Sequence, residues 1–195
     1  VDCYFDKGEQ YNNIGLNDRE GMYRLTKYLI SQGHRNMLYI GDQPTLWGLD
    51  ARRLEGHVEA LQEAGIAWSQ TRYQCISKDR KRRPEDYDRM IEQRKKREDT
   101  VWMFISDYYA VEAMAYLYDK GLRVPEDISV TGFDDNILAK IVRPRLTTVH
   151  QDVSKKADWA VKTLFEVVGG ALEGPFSLTL PTRVVKGQSV LQRKG

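Results

Sequence analysis

The run Val101-Trp102-Met103-Phe104-Ile105 constrains this chain more than any other. Five consecutive apolar residues leave no polar face on a strand. Such a strand is stable only inside a sheet covered on both sides, the situation of parallel sheets with helical crossovers. The flanking segments supply those helices. Residues 18–32 put Met22, Leu25, Tyr28 and Leu29 on one helical face and stop at Gly33. Residues 36–41 read as a short apolar strand. Residues 50–64 repeat the helical spacing through Leu54, Val58 and Leu61 before Gly65. A strand is expected over 71–77, and Pro84 suits the first turn of a charged helix whose buried side is Tyr87, Met90 and Ile91. After the central run, Asp107 can cap a helix through Val111, Met114 and Leu117 to Gly121. A strand over 127–133, an irregular stretch with Pro144, a strand at 146–149, a long helix over 154–168 and a strand over 177–185 interrupted by Pro181 complete the chain. Alternating strand and helix predicts an α/β fold with a doubly wound sheet. Ligands of such sheets bind at the carboxyl ends of the strands, which directs the search to the loops 42–52, 106–108 and 134–152.

Composition narrows the function. The 195 residues carry 30 Lys+Arg and 28 Asp+Glu, a net charge of +2, so no strong field draws the chain to nucleic acid or to a membrane. The basic stretches at 78–83 and 94–97 are interleaved and flanked by acidic residues and read as a solvated surface. Cys3 and Cys75 have neither CxxC nor Cys/His spacing, which excludes a disulfide framework, argues against a structural zinc and fits a reducing compartment. No apolar run approaches the roughly 18 residues of a membrane span. The first residues, Val1 to Asp6, lack a basic and an apolar region, and the chain reads as starting partway through a longer protein. His34, His57 and His150 are scattered, and no nucleophile, base or metal set is recognisable. Neither a catalytic residue nor a metal or cofactor is expected.

Four segments carry more specific information. They are Gly33-His34-Arg35 running into Met37-Leu38-Tyr39-Ile40-Gly41; Arg53-Leu54-Glu55-Gly56 continuing to Ala60-Leu61 and Ala64-Gly65-Ile66; Gly121-Leu122-Arg123-Val124-Pro125-Glu126-Asp127-Ile128-Ser129-Val130 leading to Gly132-Phe133-Asp134-Asp135; and Pro144-Arg145-Leu146-Thr147-Thr148-Val149-His150-Gln151. In this order and spacing they resemble the effector-binding core of the lactose-repressor/galactose-repressor family of bacterial transcription regulators, over nearly the whole chain. The resemblance implies a periplasmic-binding-protein-like architecture, two doubly wound lobes joined by three crossover strands, with the first lobe incomplete. It divides the chain into 1–42 plus 149–176 for the first lobe and 43–148 plus 177–195 for the second, with the DNA-binding headpiece absent. It also implies a cytoplasmic homodimer that senses a small molecule, a sugar or sugar derivative, and reaches DNA through the missing N-terminal domain. A periplasmic sugar receptor of a transporter shares the fold and is the alternative.

The same resemblance supplies candidate ligand contacts. Arg53 matches an arginine that reaches into the cleft, where a guanidinium fork suits hydroxyls and anions alike; the plainer reading pairs it with Glu55 or Glu59. Asp134 ends a strand and can accept two hydroxyl hydrogen bonds, although it or Asp135 can equally cap a turn. Gln151 matches a cleft-facing position. At Ser106-Asp107 the family commonly has Asn-Asp, so serine shortens a ligand-gripping side chain. That departure predicts an aromatic cleft, with Trp47 or Tyr108 stacking on the ligand near Arg53 and Asp134. Tyr4 and Phe5 are further aromatic candidates.

Overall fold

The computed structural model describes residues 11–44, 47–173 and 175–193. Tyr4 and Phe5 lie outside them. The elements follow in the order β1 (Asn13–Leu16), α1 (Asp18–Ser31), β2 (Met37–Gly41), α2 (Gly48–Glu63), β3 (Tyr73–Cys75), α3 (Arg83–Arg97), β4 (Val101–Phe104), α4 (Asp107–Asp119), β5 (Ser129–Thr131), α5 (Ile137–Ile141), β6 (Thr148–His150), α6 (Val153–Val168), β7 (Ser177–Leu180) and β8 (Arg183–Val185).

The central run behaves as its composition requires. β4 lies inside a parallel four-stranded sheet of order β3-β2-β4-β5. Strand alternation sends Val101 and Met103 to one face, with Met37 and Tyr39 of β2, against Met22, Leu25 and Leu29 of α1 and Leu61 of α2. Trp102 and Phe104 go to the other face, with Leu38 and Ile40, against Tyr87 and Met90 of α3 and Ala110, Ala113, Met114 and Leu117 of α4. Each fully buried large side chain contributes about 1.5–3 kcal/mol, so the two apolar layers dominate the stability of this body.

The crossing of α1 over α2 has a specific enabling residue. A Cβ at Gly56 would collide with the carbonyl oxygen of Arg19, so only glycine lets the two helices approach this closely.

Three features depart from the sequence reading. β2 is hydrogen-bonded to both β3 and β4, and α1 packs on the same sheet, so the lobe boundary expected at 42 cuts through one body. Residues 18–41 go with 43–148 rather than with 149–176. The expected strand over 177–185 is two strands in different sheets: β7 runs parallel to β1, while β8, beyond Pro181, runs antiparallel to β6. Proline has no N–H for a ladder, and the chain changes partner there. Finally, β1 and the short α5 are elements that local periodicity does not announce. Outside the main sheet, α6 leaves Val161, Leu164, Phe165 and Val168 exposed. Among the described residues no helix is long and apolar enough to cross a membrane.

Candidate functional site

All strands of the main sheet point their carboxyl ends the same way, and the chemistry-bearing side chains collect there. Arg53 lies in the second turn of α2 and is only 7% exposed. Its Nε donates to Asp18 Oδ1 at 2.8 Å and its Nη1 to the Ile105 carbonyl, just past β4, at 2.8 Å. The guanidinium lies over the Phe133 ring, 3.9 Å from its centroid, a stacking arrangement that arginine's planar group favours. Asp50 Oδ1 sits 4.0 Å from Nη1. Burial works against the charge, but Asp18 overcomes it and the Arg53 pKa stays raised. The pairing expected with Glu55 or Glu59 is replaced by Asp18; Glu59 pairs with Arg19 instead.

Asp134 follows β5 through Gly132 and Phe133. Its backbone N–H donates to the Val149 carbonyl at 2.9 Å, and its side-chain Oδ1 accepts from Gln151 Nε2 at 2.6 Å. Two sequence candidates are thus brought together. Asp134 holds φ at 132°, a region L-residues seldom occupy and one found disproportionately at functional positions. Burial raises its pKa to about 7, with Arg53 pulling it down and Asp107 pushing it up.

Asp107 is not the helix cap the sequence suggested. Ser106 occupies the N-cap position of α4, in extended backbone and without a side-chain capping bond. Asp107 is fully buried, and both of its carboxylate oxygens are engaged: Oδ1 accepts the Thr148 hydroxyl at 2.5 Å and Oδ2 the Asn136 N–H at 3.0 Å. It ties α4 to the segments after β5 and before α6. Gly132 makes room for it, because a Cβ there would run into Asp107 Oδ1.

The two aromatic candidates sit differently from the expectation of rings turned inward. Trp47 is the N-cap residue of α2 and is 68% exposed. Tyr108 is 43% exposed, and its hydroxyl accepts from Arg83 Nη2 at 3.2 Å. The ring against Arg53 is Phe133, which the sequence reading did not single out.

Other site residues also escaped that reading. Asp42 directly follows β2 and accepts from the Tyr109 hydroxyl at 2.9 Å. Asp50 accepts from Gln43 Nε2 at 3.3 Å. Both lie in the 42–52 loop already marked for search, so a carboxylate next to a strand end was the available signal. Asp18 gave none, since only the α1–α2 crossing brings it to Arg53. A cleft of about 810 Å³ also opens on the outer side of α2, lined among others by Arg19, Leu54, Val58 and Tyr73. The candidate ligand residues do not line it, and of its charged residues Arg19 and Glu59 are paired with each other.

Chemically, the edge combines a planar donor with several carboxylate acceptors, the complement of adjacent hydroxyls. Comparison with known proteins agrees with this architecture. Residues 26–190 match the periplasmic binding protein-like domain. The chain is 32% identical to the HTH-type transcriptional repressor PurR of Pasteurella multocida (strain Pm70), over 89% of this chain and 51% of that protein. It is 33% identical to the HTH-type transcriptional regulator GalR of Escherichia coli (strain K12), over 76% and 43%. It therefore spans about half the length of the curated relatives it matches. Among solved structures, the transcriptional regulator CelR in complex with cellobiose superposes with a TM-score of 0.83 at 25% identity, over 93% of this chain and 54% of that one. A LacI family regulator from Enterococcus faecium with bound ribose shares the fold, with a TM-score of 0.82 at 21% identity over 94% and 67%.

Proposed function

From the premise that the chain belongs to the periplasmic binding protein-like domain family, we propose that it is the effector-sensing domain of a DNA-binding transcription regulator. The observation that carries the reading is the meeting of Arg53, Asp134 and Gln151 at the carboxyl edge of the main sheet. There the chain crosses from the main body towards β1, α6 and β7. We place the lobe division at this crossing, near residue 17 and again near 151 and 181, with the ligand between the lobes. The relatives are regulators rather than transporter receptors or enzymes, which favours a non-catalytic, cytoplasmic sensor. The domain works as a homodimer whose ligand-favoured lobe arrangement resets the spacing of two DNA-binding headpieces, a population shift biased by differential affinity. Arg53, Asp134 and Gln151 contact the effector directly, Trp47, Tyr108 and Ser106 line the approach, and Asp107 holds the frame behind them.

The test is a thermal-shift screen of the full-length protein against pentoses, hexoses, their phosphates and purine bases. A ligand that binds the native state raises the melting temperature in proportion to its occupancy. A hit that also changes affinity for the protein's own operator DNA supports the sensor reading. A protein that turns over its hit removes it.

A further inference from the structure

We propose that the ligand of this site is an uncharged polyhydroxylated molecule, a free sugar or glycoside, and that the site discriminates against the same sugar carrying a phosphate or carboxylate. The inference rests on the sensor reading above and adds the ligand's charge to it.

Two carboxylates stand against the Arg53 guanidinium, Asp18 at 2.8 Å and Asp50 at 4.0 Å, and Asp134 acts on it electrostatically. Arg53 acts electrostatically on Asp18, Asp50 and Asp134; Asp50 in turn feels Asp42 and Asp18, and Asp134 feels Asp107 and Asp18. The charge of Arg53 is already answered within the protein by Asp18, itself 2% exposed, with Asp50 close behind. Nε and Nη1 are spent on Asp18 and the Ile105 carbonyl, so two of the fork's three nitrogens are committed before any ligand arrives. The neighbouring cation on α3, Arg83, is equally committed, with Glu112 Oε2 at 2.6 Å, Glu112 Oε1 at 3.2 Å and the Lys78 carbonyl at 3.2 Å.

An anion brought to Arg53 therefore gains one guanidinium already paired and approaches Asp18 and Asp50 at the same time. In a half-buried site that repulsion is poorly screened. A hydroxyl meets the same groups without penalty, accepting from the guanidinium and donating to a carboxylate. Carboxylates built into a site against an anionic competitor also provide specificity by repulsion.

A second observation points the same way. The Tyr39 hydroxyl is fully buried and has no hydrogen-bond partner among the described residues. The charges of Arg53, Asp50 and Asp18 act on it, so it lies beneath the same cluster. A buried hydroxyl without a partner is costly unless a water or ligand group satisfies it. What the fold has placed beneath Arg53 is a neutral hydroxyl, where a phosphate site would carry a further cation.

The experiment is calorimetric titration of the full-length protein with D-glucose, D-galactose, D-ribose and cellobiose, set against glucose 6-phosphate, galactose 1-phosphate, ribose 5-phosphate and galacturonate. The expected result is a neutral sugar binding at least about tenfold more tightly than its charged counterpart, a difference readily resolved in Kd. The Asp50→Asn variant should narrow that ratio, because it removes one repelling charge and keeps the side chain's shape. A charged sugar binding as tightly as its parent, a ratio that Asp50→Asn leaves unchanged, or a response to purine bases alone overturns the inference while leaving the sensor reading in place. No binding of any sugar, charged sugar or purine by folded protein overturns both.

Discussion

Arg53 Nε donates to Asp18 Oδ1 across the α1–α2 crossing at 2.8 Å, and both side chains are buried. The residue most clearly marked as a ligand contact is thereby also a structural tie. The site is preorganised, because the guanidinium is fixed before any ligand arrives.

It follows that Arg53→Ala does more than weaken effector binding. Removing one partner of a buried pair takes from Asp18 the cation that answers its charge across the crossing, a loss of about 3–5 kcal/mol. Denaturant unfolding should show that loss, where an arginine serving the ligand alone would leave stability nearly unchanged. The double variant Arg53→Met with Asp18→Asn should recover part of it, since neither position then carries a buried charge.

Gly56→Ala tests the helix crossing. Its Cβ would press on the Arg19 carbonyl, and backbone cannot rotate away as a flexible side chain can. Overpacking of this kind costs about 1–3 kcal/mol. Glu55→Ala, one residue away and exposed, should stay within about 0.5 kcal/mol of the parent.

Much of this frame is legible in the sequence, and what is not legible has physical reasons. α1, α2, α4 and β4 carry their burial in local spacing: Met22, Leu25 and Leu29 on one stripe, and five apolar residues in a row for a strand covered twice. β1 has no such pattern in Asn-Ile-Gly-Leu, and becomes a strand by pairing Asn13 with Ser177 far along the chain. α5 is five residues long, too short for periodicity to register. The division expected at 42 falls between β2 and its sheet neighbours β3 and β4, because strand pairing joins segments that local pattern does not connect. In the site, Arg53, Asp134 and Gln151 stood in motifs, whereas Asp18 and Phe133 gain their roles from tertiary contact with Arg53.

Asp134 predicts a pH dependence of stability. Its folded pKa is raised to about 7 from 3.8, with burial the leading cause. Below 3.8 the carboxyl is protonated in both states and carries no penalty. As pH rises from 4 to 7 the unfolded chain ionises first, so this group progressively disfavours the fold. Asp134→Asn should therefore gain on the parent across that window, in unfolding free energies measured at several pH values. A difference that stays flat with pH would show that Asp134 titrates normally.

His57 predicts the opposite slope. Burial lowers its pKa from 6.5 to about 3, with Nδ1 held at 2.9 Å from the Thr26 hydroxyl and its ring edge-on to Trp68. The folded state keeps the ring neutral, so its contribution is fully present above 6.5. It is lost as pH falls below that value towards 3, where the unfolded histidine binds a proton that the folded one refuses. Any advantage of the parent over His57→Gln should accordingly shrink between pH 6.5 and 4.

Trp47 separates ligand chemistry from folding. At 68% exposure, and as an N-cap residue whose side chain makes no capping bond, it contributes little to the core. Trp47→Ala should leave stability within about 0.5 kcal/mol of the parent. An exposed indole at the start of the helix that carries Arg53 nevertheless offers what the polar groups cannot, a flat apolar face for the C–H side of a sugar ring. If it stacks there, effector affinity should fall about five- to tenfold, the order expected when an aromatic contact worth about 1 kcal/mol is removed. Trp47→Phe should restore most of the loss, because a smaller ring still offers a face. Unchanged affinity in both variants would show that Trp47 does not stack on the effector and would leave the polar groups as the contacts on this side of the site.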